Sequence, residues 1–327
     1  MINEPYKVLV LAVGSPLGQS IVKALHESRL SLKIYVADID DFAAGLYMRD
    51  VNSIILPRVK DETYFDRLAT YIQDHQIQAI FPILAAEHEF FCRHSKYFSS
   101  INVEILSCAP EVYRLCNDKY ESMRHLINAG VSAPDSTLCR NDEEVEQFLL
   151  RNIFPVFIKP RFGASSVDIF KVSNRDQLFG ILKAFPRDYF IAQAYLNDSR
   201  DFTAGVYVSR DGSFQSTLMI ERELKFGLSY RGSVFEDESI SDYCLKVASA
   251  ISSYYSINVQ FKVVDGQPFI YEINPRLSST TSVRAHFGFN EPDMMIHEIQ
   301  GRLNAYSLTK RCGRFTRYWQ EHYLEDL

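Results

Sequence analysis

The chain has 327 residues, enough for two or three separately cored units. Apolar residues make up 46% and charged residues 23%, an ordinary globular balance, and the net charge of -6 is spread without a run of five like charges. This excludes an extended nucleic-acid-binding face and leaves room for a local basic pocket for phosphates.

The opening stretch MINEPYKVLVLAVG has no basic segment ahead of an apolar core, and the longest apolar runs, such as Val8 to Val13, are strand-sized. A cytoplasmic protein with no membrane association is expected. Cys92, Cys108, Cys116, Cys139, Cys244 and Cys312 are scattered without a C-x-x-C pair, which suits reduced thiols better than a disulfide frame or a zinc site.

Along the first third, Lys7–Val13 reads as a strand buried on both faces. Gly14-Ser15-Pro16-Leu17-Gly18 makes a turn, and Ser20–Ser28 has helical spacing. Strands are predicted at Lys33–Ala37, Ser53–Leu56, Ala79–Ile83 and Val103–Ser107, with a helix at Thr63–His75. This rhythm implies a parallel sheet with right-handed crossovers. The turn invites comparison with a dinucleotide fingerprint, because Asp38 ends the next strand. That fingerprint needs a middle glycine, however, and Pro16 stands there, so NAD binding is not expected.

A helix over Asp118–Ala129 stops at Gly130. Strands at Pro155–Lys159, Asp168–Val172 and Phe190–Tyr195, with a helix at Arg175–Phe185, form a small α+β unit. From Phe202 the pattern becomes antiparallel: Thr203–Val208 and Phe214–Ile220 flank Ser209-Arg210-Asp211-Gly212, a helix covers Asp242–Tyr255, and a hairpin joins Asn258–Val264 to Pro268–Asn274.

That last hairpin, VQFKVVDGQPFIYEINPR, carries the chemistry. A three-residue loop, Asp265-Gly266-Gln267, puts Val264 opposite Pro268 and therefore Gln260 opposite Glu272. Glu272, Asn274 and Arg276 alternate onto one face. Oxygen donors in that number, with few carboxylates, suit Mg²⁺ shared with phosphate oxygens and water. The guanidinium can grip a phosphate. The alternative is a solvated surface hairpin, against which the flanking Val259, Phe261, Phe269, Ile270 and Ile273 argue.

Gln260-Phe261 followed by Glu272-Ile273-Asn274-Pro275-Arg276 resembles the metal-binding end of the ATP-grasp superfamily, in a variant similar to the carbamoyl phosphate synthetase large subunit. The resemblance runs across nearly the whole chain in the family's order. It implies α/β and α+β architecture: a Rossmann-like N-terminal domain (1–115), a lid subdomain (116–196) and an antiparallel C-terminal subdomain (197–327). It also implies ATP with one or two Mg²⁺ ions, Mn²⁺ being able to substitute, held by Gln260, Glu272 and Asn274, with Arg276 on the γ-phosphate. Lys119 and Lys159 are the implied phosphate-binding cations, and the loop Arg161–Ser166 the implied lid, with Gly163, Ser165 and Ser166 facing the nucleotide. Only one glycine stands in that loop where the family usually has several. Gln193-Ala194-Tyr195-Leu196 is the implied adenine hinge, with alanine where a ribose-binding glutamate is frequent, and Asp201 matches a further acidic position.

The expected reaction joins a carboxylate to an amine or ammonia through an acyl phosphate, releasing ADP and phosphate. Phosphorylation of bicarbonate, or MgATP binding without catalysis in a regulatory protein, are the alternatives. Glu87 and Glu89, flanking His88, are candidates for an amine substrate, or else acidic residues in the first turn of a helix. Lys225, Arg231, Arg284 and Asn290 are candidates for gripping an anionic substrate. Arg284, on the segment leaving the metal hairpin, is also placed in the catalytic set. A homodimer is in keeping with the family.

Overall fold

Alternating apolar runs and amphipathic stretches build the first sheet. Its elements are β1 (Tyr6–Val10), α1 (Pro16–His26), β2 (Leu32–Asp38), β3 (Val51–Ile55), α2 (Tyr64–His75), β4 (Ala79–Phe81), α3 (Ala85–Arg93), α4 (Ser95–Ser100) and β5 (Glu104–Ile105). The computed structural model describes residues 4–163, 168–197 and 200–324. The strands are parallel in the order β3-β2-β1-β4-β5, so β1 is central and Val8, Leu9 and Val10 are fully buried. In such doubly wound sheets the order reverses between the first strand and its later neighbour, and ligands collect beyond the carboxyl ends at that point. Here the point falls at the turns after β1 and β4.

α5 (Pro110–Asn117) and α6 (Lys119–Asn128) lead into a second sheet made of β6 (Ser136–Leu138), β7 (Val156–Pro160), β8 (Phe170–Val172) and β9 (Phe190–Ala194), with α7 (Asp142–Leu149) and α8 (Arg175–Ala184) beside it. Its order is β6-β9-β7-β8. α7 was not evident from sequence, although Asn141 caps it by accepting from Glu144 N–H. The third sheet is antiparallel, with the order β14-β13-β10-β11-β12-β15. Its strands are β10 (Asp201–Val208), β11 (Gln215–Lys225), β12 (Leu228–Phe235), β13 (Tyr255–Val264), β14 (Gln267–Asn274) and β15 (Gly313–Thr316).

Between β12 and β13, α9 (Glu238–Ala250) starts earlier than expected because Asp237 caps it, and it ends before Tyr255, which already belongs to β13. Its Cys244, Val247 and Ala248 pack into one core with Val206, Met219 and Ile257 of the third sheet. α10 (Thr281–His286) and α11 (Glu291–Ile299) lie against α1. There Ser20 Oγ donates to Ser279 O at 2.9 Å and Asn290 Nδ2 to Ala24 O at 2.7 Å. One apolar core runs through this seam, from Val8 and Phe81 to Leu218, Ile220 and Met294. Among the described residues no helix is long and apolar enough to cross a membrane, and the six cysteines are unpaired.

Arg284 is part of this packing and does not reach a cleft. It is 0% exposed, held by Glu291 (2.8 and 2.9 Å), Thr280 Oγ1 (2.7 Å) and Ser278 Oγ (3.2 Å). A side chain at Gly205 on β10 would put Cβ 2.3 Å from Arg284 Nε, so the strand has glycine where the ion pair lies across it. The expected catalytic role for Arg284 is therefore replaced by a structural one: a desolvated guanidinium whose donors are taken by Glu291 and the 278–281 loop.

Candidate active site

The β13–β14 hairpin closes with two residues, Asp265 (φ 49°) and Gly266 (φ 77°), left-handed positions that favour Asp-Gly. Val264 thus pairs with Gln267, one residue off the expected register. A bulge near Tyr271 then inserts one residue into β14 and restores the pairing of Gln260 with Glu272 and Asn258 with Asn274. Loop and bulge compensate, and the three oxygen-bearing side chains share one patch.

That patch floors a cleft of about 370 Å³. Its other walls come from the turns after β1 (Ser15, Pro16) and β4 (Ile83, Leu84), from Tyr113 and Asn117 of α5, and from the lid sheet. Four cations line it, Lys119, Lys159, Arg276 and Arg222, and the last is paired with Asp201; the first three are set against Glu272. β7 alternates, so that Ile158 enters the lid core while the Lys159 ammonium crosses to the third sheet and donates to Tyr271 O at 2.8 Å. Burial pushes this amine down to about 8, with Glu272 opposing the shift and Lys119 adding to it. Lys119 opens α6, whose N-cap Asp118 accepts from Tyr120 and Glu121 N–H. Its ammonium donates to Gly163 O at 2.6 Å, and burial lowers its pKa against the pull of Glu272 and Asp118. Burial likewise lowers Arg276, offset by Glu272 and Tyr113; a guanidinium stays charged regardless. Glu272 is thus the common counter-charge of all three cations.

The donor set fits a hard divalent cation in part. Asn274 Nδ2 donates to Glu272 Oε1 at 2.8 Å, which leaves the amide oxygen beside the carboxylate for a cation. Gln260 Oε1 is already engaged, by Arg222 Nη2 at 2.8 Å and the Tyr271 hydroxyl at 3.3 Å. Because Arg222 can only donate, Gln260 joins a metal only if Arg222 withdraws. Arg222 also binds Asp201 at 2.7 Å. Asp201 therefore acts beneath the site as the anchor of Arg222. The sequence reading missed both Arg222 and Asn258. Asn258-x-Gln260 carries the same two-residue spacing as Glu272-x-Asn274 and is the signal that could have found Asn258.

The hinge lies outside the walls of this cavity. Gln193 is buried with its amide donating to Ser136 Oγ at 3.0 Å, and Ala194 N–H donates to Asp135 O at 2.9 Å. The Tyr195 ring stacks on Phe157 (centroids 5.5 Å, 8° between planes), with the Lys171 ammonium 4.2 Å from the Tyr195 centroid. Leu196 lies two residues beyond the end of β9. Ser165 and Ser166 lie outside the described residues.

The substrate candidates are placed elsewhere. Glu87 caps its own helix, accepting from Ile83 N–H (2.7 Å) and Leu84 N–H (2.9 Å); burial raises it to about 7, and those hydrogen bonds oppose the rise. Glu89 is exposed on α3, off the cleft. Lys225 is exposed at the β11–β12 turn, 5.0 Å from the Tyr230 ring centroid. Arg231 pairs with exposed Glu223 at 2.8 Å. Asn290 caps α11. Glu87 and Asn290 are used as helix caps and Arg231 in an ion pair, and none of the five lines the cleft.

Residues 8–106 match the family model described as PylC-like, N-terminal domain, and residues 209–319 match ATP-grasp in the biosynthetic pathway with Ter operon. A solved biotin carboxylase domain dimer of 2-oxoglutarate carboxylase from Hydrogenobacter thermophilus, in complex with MgADP, ADP and bicarbonate, superposes with a TM-score of 0.72. The match covers 94% of this chain and 73% of that one, at 17% identity. The chain has the ATP-grasp fold, and its C-terminal third matches an ATP-grasp family model. It is 26% identical to a D-alanine--D-alanine ligase of Bacteroides fragilis over 231 residues, covering 63% of this chain and 71% of the relative. It is also 24% identical to a carbamoyl phosphate synthase large chain of Sulfurisphaera tokodaii over 203 residues, 56% of this chain and 19% of that relative. The match therefore spans about a fifth of the synthase and most of the ligase.

Proposed function

We propose that the chain is an ATP-dependent ligase that joins a small-molecule carboxylate to an amine or ammonia through an acyl phosphate, releasing ADP and phosphate. The observation that carries this reading is the cleft in which Lys119, Lys159 and Arg276 share the counter-charge Glu272. Three cations around one carboxylate leave net positive charge for a triphosphate. Glu272 and Asn274 hold Mg²⁺, Gln260 completing the set once Arg222 withdraws; whether a second ion or Mn²⁺ serves is part of the same proposal. The ion's contribution is to neutralise charge on the phosphate oxygens. Lys159 and Arg276 then compensate charge that spreads over the transferred phosphoryl group, and the walls align the substrate carboxylate for in-line attack. The amine then attacks the acyl carbon, so that the C–N bond forms as the C–O bond to phosphate breaks, with free phosphate leaving and the amine's proton passing to solvent.

A second reading, a MgATP-binding regulatory protein without ligation, is favoured by the hold of Arg222 on Gln260. The separating experiment measures ADP release against a panel of carboxylates, bicarbonate included, each with amines or ammonia. Stimulated release identifies the ligase. Nucleotide binding with no stimulated release across the panel favours the regulatory reading.

A further inference from the structure

Beside the cleft lies a second, smaller chamber of about 10 Å³, lined by His88, Ser107, Tyr255, Ser256 and Arg276 among others. Arg276 is the residue that lines both spaces. Two polar atoms in the chamber wall, His88 Nε2 and Tyr255 Oη, are buried with no hydrogen-bond partner among the described residues. His88 is 2% and Tyr255 1% exposed. Buried polar groups left alone are costly, so such pairs are normally served by an internal water where a polar space of about one probe volume exists.

Two further observations show that these side chains are held in place. Tyr255 begins β13 with φ 61°, a left-handed conformation that a bulky residue adopts only when its surroundings impose it. The Arg210 guanidinium lies 4.8 Å from its ring centroid. His88 is fixed on both sides: Nδ1 is 2.7 Å from Ser107 Oγ, and its ring stacks on Tyr113 at 4.7 Å and 22°. Tyr113 is itself a wall of the cleft.

We infer that one buried water occupies this chamber, bridging His88 Nε2 and Tyr255 Oη and bracing the Arg276 guanidinium, so that His88 is a positioning residue for the phosphate-binding arginine. Water suits the place because it both donates and accepts: Arg276 offers only N–H, while a neutral imidazole and a phenol each take either role. The imidazole is neutral at ordinary pH, since burial, helped by the Arg276 charge, pushes it down to about 3. The main cleft then owes the direction of one cation to a side chain that never touches substrate.

The inference rests on the phosphate role proposed for Arg276, and the experiment separates the two. Affinities for MgADP and for the Mg²⁺ complex of the β,γ-imido analogue of ATP are measured by calorimetry for the wild type, Arg276→Ala, His88→Leu, His88→Gln and Tyr255→Phe, alongside a high-resolution crystal structure of the wild type. The expected result is a water within hydrogen-bond reach of His88 Nε2 and Tyr255 Oη. His88→Leu and Tyr255→Phe should weaken the triphosphate analogue about tenfold while leaving MgADP within about twofold, the scale of lost outer-shell support. His88→Gln should recover most of the loss. General damage to the fold would weaken both nucleotides alike. If Arg276→Ala leaves the analogue's affinity unchanged, the phosphate role of Arg276 fails. If Arg276→Ala weakens it but the His88 and Tyr255 variants do not, or the chamber holds no water, the bracing inference is overturned.

Discussion

The Lys159 ammonium lies 2.8 Å from the carbonyl oxygen of Tyr271, beside the bulge that restores the register of β14. One contact thereby ties the lid sheet to the irregularity that brings Gln260, Glu272 and Asn274 together. Lys159 sits in the folded protein with its amine pushed down to about 8 by burial, so its charge there is conditional. Phosphate binding restores it. MgADP affinity should fall as pH rises through about 8, by up to about tenfold per pH unit, with a proton taken up on binding near that pH. Calorimetry in buffers of different ionisation enthalpy reads this directly, and Lys159→Ala should abolish the dependence. In the unliganded protein the sign is opposite. The unfolded chain keeps the lysine proton up to its ordinary range, so stability should rise with pH between about 8 and that range.

Glu272 offsets three cations at once. Glu272→Ala should leave a folded protein whose ATP turnover is lower by about 10²–10³-fold, as when a preorganised electrostatic group is removed. Circular dichroism together with ADP release checks it; unaltered turnover rules out the assignment of Glu272 to the nucleotide cation.

Gly205 faces the Arg284–Glu291 pair, whose side chains are 0% exposed. Gly205→Ala should cost about 3 kcal/mol or more, because the added Cβ can only be housed by parting a buried pair. Arg284→Met should cost about 3–5 kcal/mol, since Glu291 is left charged and dry. Urea unfolding midpoints measure both, and an Arg284→Met variant as stable as the wild type contradicts the structural role given to Arg284.

Arg222 bonds Asp201, Gln260 and Tyr271 at once, its side chain 8% exposed. Arg222→Met should destabilise the protein by less than the roughly 3 kcal/mol of a stranded buried charge, because Asp201 keeps the Tyr271 hydroxyl and Lys262. The same substitution frees Gln260 Oε1, so Mg²⁺ dependence measured at saturating nucleotide should shift to lower Mg²⁺. No shift would mean that Arg222 already stands aside when the cation binds.

Much of this arrangement was legible before any coordinates, for identifiable reasons. Val8, Val10 and Ile34 announce a buried parallel sheet by composition alone, and Glu272-x-Asn274 share a face through strand periodicity. The register of Gln260 with Glu272 was reached through a loop one residue too long, because the bulge that puts Ile270 and Ile273, three residues apart, into one core was not read from Phe269–Asn274. The role of Arg284 was not legible either, whereas for Glu87 the structure shows the first-turn alternative that the sequence had left open. A charged residue that caps a helix or pairs in the core is indistinguishable in sequence from one that waits in a cleft, since only burial and partners separate them. Arg222 escaped notice because its meaning lies in its pairing with Asp201 on β10.

The seam where Ser20 holds Ser279 and Asn290 holds Ala24 has a kinetic corollary. It fastens the parallel sheet to the exit of the β13–β14 hairpin as one anvil, so any opening of the cleft would fall to the four-stranded piece bearing Lys159. Swinging that piece away parts Lys159 from Tyr271 and Lys119 from Gly163. Those two lysines are the ones a triphosphate would claim, so an arriving nucleotide replaces the latch that it displaces.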